Sequence, residues 1–93
     1  MKLLIAAVRD AKSESFARPL FVQTKGIAIR SFEDEVNRVD ESNMLNKYPE
    51  DFQLYSLGYY DDTTGTITPE APMLIVSALD VKRNVDWMKI SKG

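Results

Sequence analysis

Three observations place this chain in the α+β class, with a small mixed or antiparallel sheet of four to five short strands and one main helix packed on a face. Residues 24–39, TKGIAIRSFEDEVNRV, carry Ile29, Phe32, Val36 and Val39 at i, i+3, i+7 and i+10, the spacing that lines one side of an α-helix. Residues 2–9 and 52–60 read as strands on either side of it, and Asp61-Asp62-Thr63-Thr64-Gly65 supplies the polar start and the glycine of a hairpin turn. The 93 residues, with 44% hydrophobic and 28% charged side chains, suffice for one modest core and no second. A lone amphipathic helix cannot bury its own stripe, so the strands must receive it.

The first strand is apolar on both alternating sides, Leu3, Ile5 and Ala7 on one and Leu4, Ala6 and Val8 on the other. That predicts a central strand, or one between a helix layer and a partner subunit. Arg9 and Asp10 end the apolar run too early for a signal-peptide core and far short of a membrane span, so no membrane association is expected. Residues 10–18, DAKSESFAR, lose the alternation and predict a loop or a short helical turn; Pro19 then ends any helix and opens a second strand at 20–23. Thr24 stands where an N-cap belongs. Glu33, Asp34 and Glu35 read as a solvated helix face.

Residues 40–48 predict a loop with a turn of helix around Met44 and Leu45, and Pro49-Glu50-Asp51 a single helical turn with proline first and acids near the positive dipole end. Strict alternation along 52–60 sets Gln53, Tyr55, Leu57 and Tyr59 on one side and Phe52, Leu54, Ser56, Gly58 and Tyr60 on the other. Thr66 begins the return strand, Pro69 and Pro72 bracket a break or bulge, and residues 73–79, MLIVSAL, predict a buried strand. A single domain is expected over 1–80. Residues 81–93 read as a basic, weakly helical tail, with Val81, Val85 and Met88 at i, i+4 and i+7 and Trp87 favouring its packing on the domain or on a partner.

The chain holds no cysteine and no histidine, which removes the thiol nucleophile, the commonest general base and the usual zinc ligands. No GxGxxG, Walker lysine loop, CxxC, HExxH or GxSxG occurs, and Ser13, Ser15 and Ser31 have no histidine to activate them. Asp61 and Asp62 lack the spacing of a calcium loop and are explained by their turn. The expectation is a protein that is no enzyme, with no metal and no cofactor.

The formal net charge of −2 argues against a generic polyanion binder, but the charge is segregated. Residues 1–30 carry six cations against two acids, residues 31–80 two against eleven, and residues 81–93 four against one. Basic ends and an acidic middle permit a positive side on an acidic protein if the ends come together. Single-strand nucleic-acid binding needs such cations for phosphates and exposed rings for bases. The residues that meet this requirement are Arg9, Lys12, Arg18, Lys25, Arg30, Lys82, Arg83 and Lys89, with Tyr55 and Tyr59; Tyr48, Tyr60, Phe16 and Trp87 complete the set of interspersed rings. Core packing competes for each ring taken singly.

An ordered series of short motifs carries a resemblance. It runs Asp10-x-Lys12, Phe16-x-x-Pro19, Lys25-Gly26-x-Ala28-Ile29-Arg30-x-Phe32-x-Asp34-x-Val36-Asn37, Lys47-x-Pro49-Glu50-Asp51, then Leu54 with Gly58-x-Tyr60-Asp61-x-x-Thr64-Gly65 and a following Pro72. Over residues 1–80 the chain resembles the small nonstructural protein of gokushovirus-type single-stranded DNA phages of the Microviridae. The resemblance implies a protein made in the host bacterial cytoplasm that binds single-stranded DNA and supports viral DNA replication or genome packaging, and it gives Lys12, Lys25, Arg30 and Lys47 as shared cations. The function expected is therefore single-stranded DNA binding without sequence preference. The alternative is an interaction module that recruits phage replication or capsid proteins through the acidic middle. A homodimer is expected because a small sheet apolar on both faces needs covering.

Overall fold

The computed structural model describes residues 1–83. Strand β1 (Lys2–Asp10) runs through the middle of a five-stranded sheet in which every pairing is antiparallel. One side of β1 pairs along its length with β4 (Phe52–Asp61), and β4 in turn with β5 (Thr66–Ser77), which forms one sheet edge. The other side of β1 is shared by two short strands, β2 (Ser15–Phe16) opposite Arg9 and Asp10, and β3 (Leu20–Val22) opposite Leu4, Ile5 and Ala6. The class is α+β and the doubly apolar strand is central, as its composition requires.

Helix α1 (Lys25–Asn37) lies on one face of this sheet. The Thr24 hydroxyl caps it by accepting from the Ile27 amide at 3.1 Å. Ala28, Phe32 and Val36 are buried against Leu4 and Ala6 of β1 and Phe52 and Leu54 of β4. Each large side chain so buried contributes roughly 1.5–3 kcal/mol. The alanines Ala6 and Ala28 are both fully buried, and their small size lets helix and sheet approach closely.

The helix ends earlier than its apolar period suggests, and Val39 is 83% exposed. Three asparagine amides occupy the carbonyls of its last turns. Asn37 donates to Glu33 O at 2.8 Å and to Val81 O at 3.0 Å, Asn43 donates to Glu35 O at 2.8 Å and Arg38 O at 2.9 Å, and Asn46 donates to Val36 O at 3.0 Å. These bonds satisfy groups that a helix end otherwise leaves to water. Asn43 is buried and also caps the short helix α2 (Met44–Lys47) by accepting from the Leu45 amide. A 3₁₀ turn (Pro49–Asp51) follows, and after β5 a last short helix, α3 (Ala78–Val81), sets Ala78 in the core with Val81 against it.

Two stretches differ from expectation. Residues 10–18 form a hairpin in which Glu14 takes a left-handed φ of 58° and Ser15 and Phe16 return along β1; two paired residues are too few for alternation to reveal. Residues 73–79 are not a buried strand. β5 ends at Ser77, and Met73 and Leu74 are 66% and 54% exposed because β5 is an edge. That also explains how Pro69 and Pro72 sit inside it, since an edge strand has one side that needs no donor. The expected helical tail beyond residue 83 lies outside the described residues.

The alternation along β4 breaks at a bulge. Ala6 of β1 stands opposite Ser56 but Ile5 opposite Gly58, leaving Leu57 as the extra residue. Gly58 adopts φ +136°, and a Cβ there would collide with Thr68 O and meet Pro69 Cα at 3.0 Å. Every residue after the bulge changes face. Tyr59 joins Leu4 on the helix side, while Tyr60 joins Tyr55 on the other, so Tyr55 and Tyr59 do not share a side as strict alternation predicts.

Gly58→Ala is therefore expected to lower unfolding free energy by more than about 3 kcal/mol, because the strained φ and a backbone overlap add. Gly65→Ala, at φ +75° with open space around the site, costs about 1–2 kcal/mol. Urea unfolding of the two variants checks the order.

Candidate nucleic-acid interface

The sheet face away from α1 carries two edge-to-face aromatic pairs. The Phe16 and Tyr55 rings lie 5.5 Å apart at 81°, and the Phe21 and Tyr60 rings 5.4 Å apart at 75°. Each pair joins a short outer strand to β4 across β1, over Ala7 and Arg9 in one case and Ile5 and Leu3 in the other. Edge-to-face contact holds the tyrosine and leaves ring surface free: Phe16 is 40% and Phe21 47% exposed. Tyr55 and Tyr60 stand opposite Ala7 and Leu3, four residues apart on β1, so the pairs are separated by about 13 Å along the strand. Among the described residues no helix covers this face.

The charges on the paired positions of this face are also selective. Its members by register are Leu3, Ile5, Ala7 and Arg9 of β1, then Phe16 and Phe21, then Gln53, Tyr55, Gly58 and Tyr60 of β4, and Ile67, Pro69, Leu74 and Ser77 of β5; none is a carboxylate. Asp10 and Asp61 stand on the helix side, opposite Phe52 and Lys2. Lys12 and Arg18 lie in the connections flanking β2, both exposed, along the same edge as Phe16.

The ten sequence-predicted residues divide between this face and others. Arg9 and Tyr55 lie on it, with Lys12 and Arg18 at its border. Tyr59 lies on the helix side, packed against the core, with Lys2 Nζ 5.1 Å from its ring centre. There it lines, with Lys25 and Gln23, a cavity of about 280 Å³. Lys25 and Arg30 belong to α1, and Lys82 and Arg83 follow α3, where the Arg83 amide donates to Asn37 Oδ1 at 2.7 Å. Lys89 lies outside the described residues. Phe16 and Tyr60, which belong to the wider set of interspersed rings, also lie on this face, and Phe21 and Gln53 were missed. Phe21 was legible, since Leu20 and Val22 flank it in a strand and must point the other way.

Two acids of the helical layer, Glu35 and Asp40, are held in local use. Arg38 forks onto Glu35, with Nη2–Oε2 at 2.8 Å and Nε–Oε1 at 3.0 Å, and reaches Asp40 at 3.1 Å. These hydrogen bonds hold the Glu35 carboxyl below its ordinary range. The Ser42 amide and hydroxyl, then Arg38, do the same for Asp40. Arg38 is thus committed to acids of its own layer.

Comparison with known proteins bears on this arrangement. The family described as Phage ORF5 protein matches residues 3–81. The chain belongs to that family. A member of similar size, "Protein ORF5" of Chlamydia phage 1, is 34% identical over 71 residues, covering 74% of each chain. Chlamydia phage 1 is a gokushovirus of the Microviridae, so the resemblance carried by the ordered motifs is borne out. No solved structure matches the chain. Both aromatic pairs and Arg9 fall within the family match, as do α1 and its asparagines. Among the described residues no helix is long and apolar enough to cross a membrane.

The Arg38 cluster makes a pH prediction. Carboxyls lowered in the folded state stabilise it above their ordinary ranges, near 4.5 for Glu35 and 3.8 for Asp40, and that contribution is lost as pH falls through the lowered values. Arg38→Ala is expected to melt below the parent protein at neutral pH, with the gap closing on acidification below those ranges. Thermal melts at a series of pH values check this.

Proposed function

We propose that this phage protein binds single-stranded DNA without sequence preference and without catalysis, on the helix-free face of its sheet. The carrying observation is the exposed ring surface of Phe16 and Phe21, each braced by a tyrosine, on a face whose paired positions bear Arg9 and no carboxylate. Bases stack on the rings, and Arg9, Lys12 and Arg18 contact phosphates along the β2 edge. Stacking is tolerant of sequence because every base has a flat face. Membership of the phage ORF5 family supports a role in synthesis or packaging of a single-stranded genome in the host cytoplasm.

The test is fluorescence anisotropy of a labelled oligothymidylate against a salt series. Three phosphate contacts set a slope of log K against log salt no steeper than about −2, and Arg9→Ala reduces its magnitude by about 0.7. Phe16→Ala and Phe21→Ala, both at exposed positions, each weaken binding by about 1–3 kcal/mol, roughly 5- to 150-fold, with circular dichroism unchanged. Absence of binding at low salt would sink the reading, and so would equal loss from Tyr59→Phe and Lys25→Ala with none from the two phenylalanines.

A further inference from the structure

The two edges of the sheet are not alike. The β2 and β3 edge is broken into strands of two and three residues with Pro19 between them, and it offers no continuous row of main-chain groups. The β5 edge is a twelve-residue strand with no neighbour on its outer side among the described residues. Such an edge is an unfilled row of donors and acceptors, which another strand completes. Proteins usually guard it with charge or proline. Here charge and proline stop early, and one bulge, at Ile75 between Leu74 and Val76, interrupts the remainder. Pro69, Glu70 and Pro72 occupy its middle, and beyond them Met73-Leu74-Ile75-Val76-Ser77 has no charge and no proline. Met73 and Leu74 are 66% and 54% exposed.

The chemistry of this edge selects its occupant. Met73–Ser77 offers a phosphate no cation and a basic or acidic peptide no countercharge, so its fitting partner is a neutral, β-branched or unbranched apolar strand. Among the described residues one such strand lies in the open, which is β5 itself. Two copies related by a two-fold axis present the segment to itself antiparallel, and no charged residue of the segment meets its like. We propose that the protein is a homodimer in which Met73–Ser77 of each β5 pairs antiparallel with the same segment of a second copy.

The geometry also closes the assembly. A dimer formed this way covers the unguarded part of both β5 edges and leaves outside the broken β2 and β3 edges and residues 66–72, which Pro69, Glu70 and Pro72 guard, so pairing stops at two copies and no filament grows. The axis of an antiparallel strand pair is perpendicular to the sheet. Both helix-free faces therefore lie on the same side of one ten-stranded sheet, and Phe16, Phe21 and Arg9 remain uncovered. The dimer stands independently of the binding reading, and if that reading holds, it doubles the length of strand that one assembly can hold.

Sedimentation velocity on the full chain, across a concentration series, tests this. The parent protein is expected to sediment as a dimer, and Leu74→Lys, which sets two cations together at the seam, to weaken association by about tenfold or more with its circular dichroism unchanged. Met73→Glu is the second variant and is expected to do the same. Hydrogen exchange adds a separate readout, with amides within residues 73–77 protected in the dimer and fast in both variants. A parent protein monomeric at every concentration overturns the proposal. So does a dimer that survives both variants but dissociates on Phe16→Ala, which would place the contact on the sheet face instead.

Discussion

One extra residue in β4 decides what the two faces of this sheet carry. Without the bulge at Leu57 and Gly58, Tyr55 and Tyr59 would share a face and Tyr60 would turn into the core. With it, Tyr59 fills the helix side beside Leu4, and Tyr55 and Tyr60 come to the same side, each within reach of a phenylalanine from a short strand across β1. The bulge in turn rests on a backbone contact that only glycine permits, because at φ +136° any Cβ is driven into the carbonyl of Thr68. The aromatic pairs, the composition of the core and the register of β5 are thus coupled to one atom that is missing from residue 58.

The second organising feature is how the helical layer satisfies itself. Helix α1 has no glycine C-cap. Its final carbonyls go to the amides of Asn37, Asn43 and Asn46, and the first of these also ties in the carbonyl of Val81 and the amide of Arg83. The polypeptide after the helix is therefore pinned back onto it, and the acids of that stretch stay on the helix side of the sheet. Arg38 neutralises part of this layer through Glu35 and Asp40. The cost of the arrangement is a buried asparagine, acceptable because Asn43 makes bonds on both its amide nitrogen and its oxygen.

Most of the fold was legible because it follows local rules. The helix stripe, the Thr24 cap, the Pro49 turn and the Asp61-to-Gly65 hairpin all depend on neighbours in sequence. What was not legible depends on partners far along the chain. β2 is two residues long and exists only because Arg9 and Asp10 offer it a ladder. β5 looks buried by composition, and only its position at the edge exposes it. Strict alternation misplaced Tyr59 because a glycine inside a strand marks a bulge, and Gly58 was read as one more alternating residue. At the candidate interface Arg9, Phe16 and Tyr55 could be named from sequence. Their juxtaposition could not, since it needs the hairpin over residues 10–18.

The segregation of charge explains how an acidic chain could serve a polyanion. The eleven acids of residues 31–80 exceed the cations there so strongly that a mixed surface would repel DNA on all sides. The fold sets the helical acids on α1 and the segments after it, behind the sheet, at roughly the 10 Å that separates packed layers. That separation is comparable with the Debye length of about 10 Å at 0.1 M salt, so a strand lying on the helix-free face would feel Arg9 directly and the helical carboxylates only through screening. Lowering the salt lengthens that reach and brings the acids back into play. On this reading affinity rises on dilution of salt less steeply than the cations alone dictate, because the same change that strengthens phosphate contacts also restores repulsion from behind the sheet.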